Sequence, residues 1–418
     1  MRRVGLALAL ALVASPASAL TRDEVAKKYA PVFFQEVRDK RDLHTAFDFD
    51  GNWAGDDNGE NVSCVDDPAS CAASSPCKNG GCKLVGTVYF TVIETWSHWF
   101  VQYLPYHPLD TKVTNGHEHD TESVFVVVAK NVDGKDKLLA VETEFHGSWF
   151  TYTDASVGQG AKKPDGPLHV DGAGHPMVYQ QQVGHGICGG FSAPNYVFPD
   201  LQLGCDHAAT PHIDKTGVVY RPDLPASEPV VESNKAVDAG YAMVEILDTF
   251  WARRTEVGPG KTYKSLVDFK GDRCDVLTCP KQFGGPLMGD DGDSPSFPWN
   301  QDGGPGASAA GSQFFDPAWT MSRRLAFAQP LSLDYCHNPY VGIVGKCPGD
   351  NPIPPEAPPA SDPAPASDPA VVPPPASASE PASSSDGGCA QTKKVDASSA
   401  PALVVVLAAL VALRRRRQ

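Results

Sequence analysis

One stretch constrains this chain more than any other: Gly116-His117-Glu118-His119-Asp120-Thr121-Glu122, followed at once by Val124-Phe125-Val126-Val127-Val128. The second half is an apolar, largely β-branched run of strand type. The first half places two imidazoles and three carboxylates within six consecutive positions. Charged groups beside a buried strand cost free energy unless they are paired or bound to a cation. The chain must therefore build a sheet in which one strand ends in a polar site, and the residue types point to a divalent metal.

The rest of the pattern agrees with a sheet. Strand signals fall at 84–93, 96–103, 123–129, 138–141, 145–152 and 177–183, with Asp133-Gly134-Lys135 as a hairpin turn. Thr21 and Glu24 form a capping-box pattern that predicts a short helix to Tyr29. Met243, Ile246, Leu247, Phe250 and Trp251 recur at helical spacing and predict a packing helix. Residues 271–330 are rich in Gly, Pro and Asp and are expected to be loop-heavy. The expected fold is mainly β: a β-sandwich with added helices and long disulfide-bonded loops.

The ends differ from the middle. Residues 1–19 have a basic start, an apolar core and Ala17-Ser18-Ala19, the pattern of a secretory signal peptide. The ectodomain is expected over 20–348, with a loop-rich C-terminal extension. Residues 349–388 are almost entirely Pro, Ala, Ser, Asp and Glu and form a linker. Residues 389–418 carry Cys389, a short apolar run over 400–413 and four arginines, a C-terminal sorting or anchor segment. The run is short for a transmembrane helix, which needs about 20 residues. Gly387-Gly388-Cys389, the apolar run and the arginine tail resemble the sorting tags of myxobacterial surface proteins. That resemblance implies cleavage by a sorting protease; an uncleaved membrane anchor is the alternative. Either way the folded part is expected to be exported, at the cell surface, on the outer membrane or outside the cell.

The formal charge is −15, and the basic residues at the two ends make the middle more acidic still, so nucleic acid is excluded as a partner. Of eleven cysteines, ten precede Cys389, an even number that suits disulfides in an exported chain. Natural local pairs are Cys274–Cys279, Cys336–Cys347 and Cys188–Cys205; zinc is a rival for these spacings, although no CxxC pair exists.

Strand phase sharpens the site. In a strand beginning at Asp120, the residues Asp120, Glu122, Val124, Val126 and Val128 share one face. His117 is able to fold back toward the pair, whereas His119 has no assignable face. Upstream lie His107 and Asp110, and downstream Gly184-His185-Gly186 offers a closely approachable imidazole. Oxygen-rich ligands with one imidazole suit Mg²⁺, Ca²⁺ or Mn²⁺. A hydrogen-bonded polar cluster without metal is the alternative. Asp56-Asp57-Asn58-Gly59-Glu60-Asn61 and Asp290-Asp291-Gly292-Asp293 also carry oxygen ligands, but neither completes an EF-hand loop.

His-x-His-Asp-x-Glu before a strand, with His175-Pro176-Met177-Val178-Tyr179 leading to Gly184-His185, resembles the necrosis- and ethylene-inducing-protein superfamily, together with vacuolar-protein-sorting-like domains and a bacterial secreted branch. Tyr29-Ala30-Pro31-Val32, Asp48-Phe49-Asp50-Gly51-Asn52-Trp53 and Glu94-Thr95-Trp96-Ser97-His98-Trp99-Phe100 extend the likeness. The resemblance implies a β-sandwich with a divalent cation in an acidic cavity. The implied metal residues are His117, Asp120 and Glu122, with Asp110 and His185 as further members. Apart from the resemblance, His119 and His107 are candidate acid–base or supporting groups, and a hydrolase would use His119 or His185 as its acid–base partner. Proteins of that family bind sphingolipid head groups and damage plant membranes. This chain departs from the family motif at Glu118, where it has Arg, and at Thr121, where it has Trp. The departures bear on toxicity more than on fold or metal.

The expected function is a tethered, metal-containing module that binds a glycan or lipid head group. A metal-dependent hydrolase of phosphoesters or glycans and a structural surface protein are the alternatives, and the sequence does not decide whether the chain is an enzyme.

Overall fold

The structure, a computed structural model, describes residues 20–253 and 312–347 and the pair 273–274, apart from positions 54, 56, 112–115, 133–134, 146–147, 192–195, 199–200, 203–204 and 346. These residues all belong to the first of two units, Met1–Glu356 and Ala357–Gln418. The expected signal peptide, linker and anchor, the turn at 133–134, the acidic turn at 290–293 and the Cys274–Cys279 pair lie outside the described residues or depend on them.

Local rules set the first elements. The Thr21–Glu24 capping box is present, and helix α1 runs over Arg22–Lys28 with Tyr29 as its C-cap. Strand β1 (Val32–Glu36) follows. Helix α2 (Asn58–Asp66) precedes a run of antiparallel strands: β2 (Thr87–Thr95), β3 (His98–Leu109), β4 (Gly116–Thr121), β5 (Val124–Val132), β6 (Lys135–Phe145) and β7 (Ser148–Thr153). β2, β3, β5, β6 and β7 are consecutive neighbours in an 11-stranded sheet. A 5-stranded sheet places β1 between Met177–Gln180, its parallel partner, and Gly217–Ala226, its antiparallel one.

The two sheets share one apolar core. Val92, Val101, Val124 and Val126 of the large sheet pack in a single cluster with Phe33, Val178, Val218 and Tyr220 of the small one. This is a sandwich, and the fold is mainly β. The alternation of β5 follows the period of two: Val124, Val126 and Val128 enter this core, while Phe125, Val127 and Ala129 enter a second cluster on the opposite face.

That second face is covered by the C-terminal part of the chain. Helices α3 (Ser312–Phe315) and α4 (Pro317–Arg324) bring Phe314, Ala318 and Met321 onto it. Arg324, fully buried, donates to the equally buried Glu142 of β6. Thr151 Oγ1 donates to Glu142 Oε1 at 2.7 Å, and Gln313 Nε2 donates to its Oε2 at 3.2 Å. The described part of the C-terminal extension is thus a layer of the sandwich domain.

Two expectations need correction. The helix predicted from Met243 to Trp251 is not formed. Ala242–Glu245 instead adds a strand parallel to β2, and hydrogen-bonded turns follow, with Trp251 N donating to Ile246 O at 2.8 Å. The apolar positions are satisfied without a helix, because β2 offers an open edge and Ile246 and Phe250 still enter the second core. The strand expected to begin at Asp120 begins at Gly116, because β3 extends past the core to Leu109 and pairs the polar segment as well.

Among the described residues four disulfides are present: Cys64–Cys71, Cys77–Cys82, Cys188–Cys205 and Cys336–Cys347. They bear out two of the expected local pairs and remove zinc as an account of these eight cysteines. Among the described residues, no helix is long and apolar enough to cross a membrane.

Candidate functional site

The site is built on the β3–β4 pair. Tyr103 faces Val124 across the sheet, and the same pairing frame continues beyond the break at Glu122-Ser123, so that Tyr106 faces Thr121, His107 faces Asp120 and Leu109 faces Glu118. One frame on both sides of the break puts Asp120 on the face of Val124 and Val126, as strand phase predicts. His107 and Asp120 therefore stand opposite one another at the end of the shared core.

His185 joins them from a turn. Its ring stacks on that of His107, with centroids 3.7 Å apart and planes 2° from parallel. Its Nδ1 lies 2.7 Å from Asp120 Oδ2, and its Nε2 lies 3.2 Å from Asp42 Oδ1. His185 and Asp42 are fully buried and Asp120 is nearly so. Burial alone would lower the His185 pKa, but the hydrogen bonds and charges of Asp120 and Asp42 outweigh it and raise the pKa to about 9. At neutral pH His185 is an imidazolium held between two carboxylates.

The turn that presents His185 is strained. Val183 has φ 74° and His185 φ 53°, a left-handed conformation that is rare for a β-branched residue. Asp42 holds it in place: its Oδ1 accepts from Val183 N at 2.8 Å and its Oδ2 from Arg38 N at 2.7 Å. Thr111 N donates to Val183 O at 3.2 Å, which brings the end of β3, and with it buried Asp110, against the same turn. Asp42 and Asp120, from separate segments, thus bond residues 183–185, and the backbone next to Asp110 lies against the same turn.

Behind this group runs a buried chain of neutral polar side chains. His44 Nε2 donates to Gln180 Oε1 at 2.6 Å, and Gln180 Nε2 donates to His107 Nε2 at 3.0 Å and to His185 O at 2.9 Å. His44 also stacks on Tyr220, at 4.2 Å between centroids. Burial drives the His44 pKa down to about 3, and burial with the neighbouring His185 charge holds His107 well below the ordinary histidine range. Only a neutral His107 accepts the Gln180 amide, so hydrogen bonding and electrostatics agree.

His119 faces the other way. Its φ of 62° turns it out of the strand alternation. Tyr106 Oη lies 2.8 Å from its Nδ1 and Gly55 O lies 2.7 Å from its Nε2, with Phe47 stacked on the ring at 5.2 Å. Nε2–H therefore donates to Gly55 and Nδ1 accepts from Tyr106. Gly55 has to be glycine here: its φ is +65°, and a Cβ would lie 2.6 Å from Phe47 Cζ. Glu118 has a separate role. Its Oε1 accepts from Gly59 N at 2.7 Å, in the first turn of α2, whose N-cap Asp57 makes no side-chain capping bond. A carboxylate there satisfies an orphan amide and complements the helix dipole. From Asp57 to Asn61 the acidic stretch is thus a docked helix start, with Asn58 Nδ2 donating to Phe47 O and Tyr106 Oη at 2.8 and 2.7 Å.

Of the residues singled out in the sequence, Asp120, His107 and His185 come together, Asp110 is buried beside Thr111, whose amide bonds the same turn, and Glu122 is buried at the break between β4 and β5. His117 lies in β4 opposite Arg273, and its side chain is outside the described residues. Asp42, His44, Gln180 and Tyr106 were not anticipated. Asp42 carries a detectable signal, since Asp39-Lys40-Arg41-Asp42 has capping-box spacing and forms one.

The donor chemistry bears on a cation. His185 engages both ring nitrogens, His119 does so as well, and His107 gives Nε2 to Gln180. Asp110, Asp120 and Glu122 offer carboxylate oxygens, hard donors whose chemistry suits Ca²⁺ or Mg²⁺ better than Zn²⁺. Elsewhere among the described residues, the donor atoms of Glu94, Cys336 and Cys347 lie within 4.8 Å of one another, but these cysteines form a disulfide and offer no thiolates.

No family model matches the sequence, and no curated protein does either. Solved structures similar to it are necrosis- and ethylene-inducing proteins at low identity. One is a non-toxic HaNLP3 protein, at 19% identity over 48% of this chain and 78% of that chain, with a TM-score of 0.26. Another is Necrosis and Ethylene inducing Protein 2 from the causal agent of cocoa's Witches Broom disease, at 18% identity over 47% and 76%, with a TM-score of 0.25. A third is NLPPya in complex with mannosamine, at 15% identity over 45% and 68%, with a TM-score of 0.24.

Proposed function

We propose that this chain is an exported, surface-tethered β-sandwich that binds a glycan or lipid head group through a divalent cation held at Asp110, Asp120 and Glu122. The observation that carries the reading is the gathering of buried carboxylates from distant segments around the strained 183–185 turn, with His185 fixed against Asp120. Strained backbone maintained by several independent contacts is typical of sites under functional constraint. His185 acts here as a positioning group for Asp120, and His117 remains a candidate ligand from the sequence pattern. A hard cation would supply a Lewis-acidic contact for hydroxyl or phosphate oxygens.

The signal-like N-terminus, the Pro-rich linker and the arginine-tailed apolar segment support export and tethering. A hydrolytic reading gains less support. His119 and His185, its acid–base candidates, are fully buried and have both ring nitrogens engaged by protein groups.

Metal analysis of the purified ectodomain tests the core of the proposal, with thermal melts in EDTA, Ca²⁺, Mg²⁺ and Mn²⁺. A bound stoichiometric ion and a melting point raised by one of these cations are expected. Asp120→Asn should abolish the shift and the EDTA-sensitive part of the binding to glycan and lipid arrays. Absence of any bound ion and of any cation-dependent shift would refute the metal, and an unchanged array profile in Asp120→Asn would refute the site.

A further inference from the structure

A cleft of about 470 Å³ opens far from the carboxylate cluster. It takes in Lys137 and Leu138, which pair with Ala129 and Val128 of β5. At about 3.3 Å per residue, Ala129 lies on the order of 30 Å along the strand direction from Asp120. The end of α1, the start of β6, the turn after β7 and the loop at 167–174 supply its walls.

Those walls are preformed. Asp171 Oδ1 accepts from Ala173 N and His175 N, both at 2.9 Å, which fixes the loop. His175 Nδ1 lies 3.0 Å from Ala30 O and ties the loop to the chain just after α1. A rigid cleft of this volume falls within the usual range for small-molecule sites and carries little reorganisation cost.

The lining selects the chemistry of the occupant. Lys28 and Lys137 balance Asp136 and Asp154, and Lys137 Nζ already bonds Asp154 Oδ1 at 2.7 Å. An anion or a cation would meet both signs here. Leu138, Pro167 and Leu168 provide apolar surface. Tyr29 lines the same cleft, and its buried hydroxyl has no hydrogen-bond partner among the described residues. Leaving such a group unsatisfied costs free energy, so a fully apolar occupant would forgo a contact the site already lacks.

We infer that this cleft is a second ligand site, separate from the carboxylate cluster, and that it takes a neutral sugar ring. A pyranose has an apolar C–H face for Leu138 and Leu168 and an edge of hydroxyls for Asp136 and Tyr29. The requirement is a ligand both uncharged and rich in hydroxyls, which a sugar ring meets.

Titration of the full ectodomain with methyl α-mannoside, methyl β-glucoside and methyl N-acetyl-β-glucosaminide, followed by calorimetry and amide chemical shifts, tests this. At least one glycoside should bind, with shifts concentrated at Lys28, Tyr29, Leu138 and Ala173. Ala173→Trp, an exposed substitution at the mouth, should weaken binding at least about tenfold. Tyr29→Phe, which removes only the hydroxyl, should weaken it by a smaller factor while the protein remains folded. EDTA should leave this binding unchanged. No binding by any glycoside up to about 10 mM would overturn the inference. Binding that survives Ala173→Trp but is lost in EDTA would also overturn it, while supporting the cation site.

Discussion

Replacing Arg324 tests whether the C-terminal helices are part of the sandwich. Arg324 and Glu142 are both fully buried, and their contact joins α4 to β6 across some 180 residues of sequence. In Arg324→Met the aliphatic stem is largely replaced, but Glu142 keeps only neutral donors, Thr151 and Gln313. Removing one partner of a buried ion pair costs about 3–5 kcal/mol, because the remaining charge is uncompensated. For a domain of this size that loss corresponds to a melting point lowered by on the order of 10 °C. The double variant Arg324→Met/Glu142→Leu removes both charges and should recover most of the loss, since apolar replacement of a buried pair is often close to neutral. Urea denaturation of the four proteins in a double-mutant cycle measures the coupling, expected at about 2 kcal/mol or more. A cost below about 1 kcal/mol for Arg324→Met, or a double variant as unstable as the summed singles, would refute the reasoning.

Three further outcomes are expected. His185 has its pKa raised to about 9 in the folded state against an ordinary 6.5, so its stabilisation is full below pH 6.5 and is lost as pH rises through 9. That is about 3 kcal/mol at most, and His185→Asn, which tolerates the left-handed backbone, should flatten the stability profile between these limits in urea melts. His119→Ala should lower stability by about 2 kcal/mol through the lost Tyr106 and Gly55 bonds, while folded protein keeps its array binding; loss of binding without loss of stability would contradict a packing role. Replacing Cys188 and Cys205 together by Ser opens a link of sequence separation 17 and should cost about 3 kcal/mol in thermal or chemical denaturation.

Several features were legible because they are local. The Thr21–Glu24 box and the β5 alternation obey rules that span only a few residues, and the structure follows them. The 243–251 segment shows where such rules fail. Apolar residues at helical spacing are satisfied equally by a short strand and a set of turns when a neighbouring sheet edge is open. Period alone does not register that edge.

The site divides along the same line. By itself the sequence determined that Asp120 shares the inward face of Val124 and Val126, because strand alternation is a property of the backbone. It also placed a dense group of carboxylates and imidazoles at the end of that strand. Only the tertiary structure decided what those groups touch. Chain closure brings Asp42, Gln180 and His185 to Asp120 and His107, and their mutual distances set which imidazole is charged and which is neutral. His119, one residue from Asp120, is turned by a single positive φ toward Phe47 and Tyr106. Proton positions in a buried cluster depend on desolvation and on neighbours within a few ångströms, and those neighbours are distant in the chain.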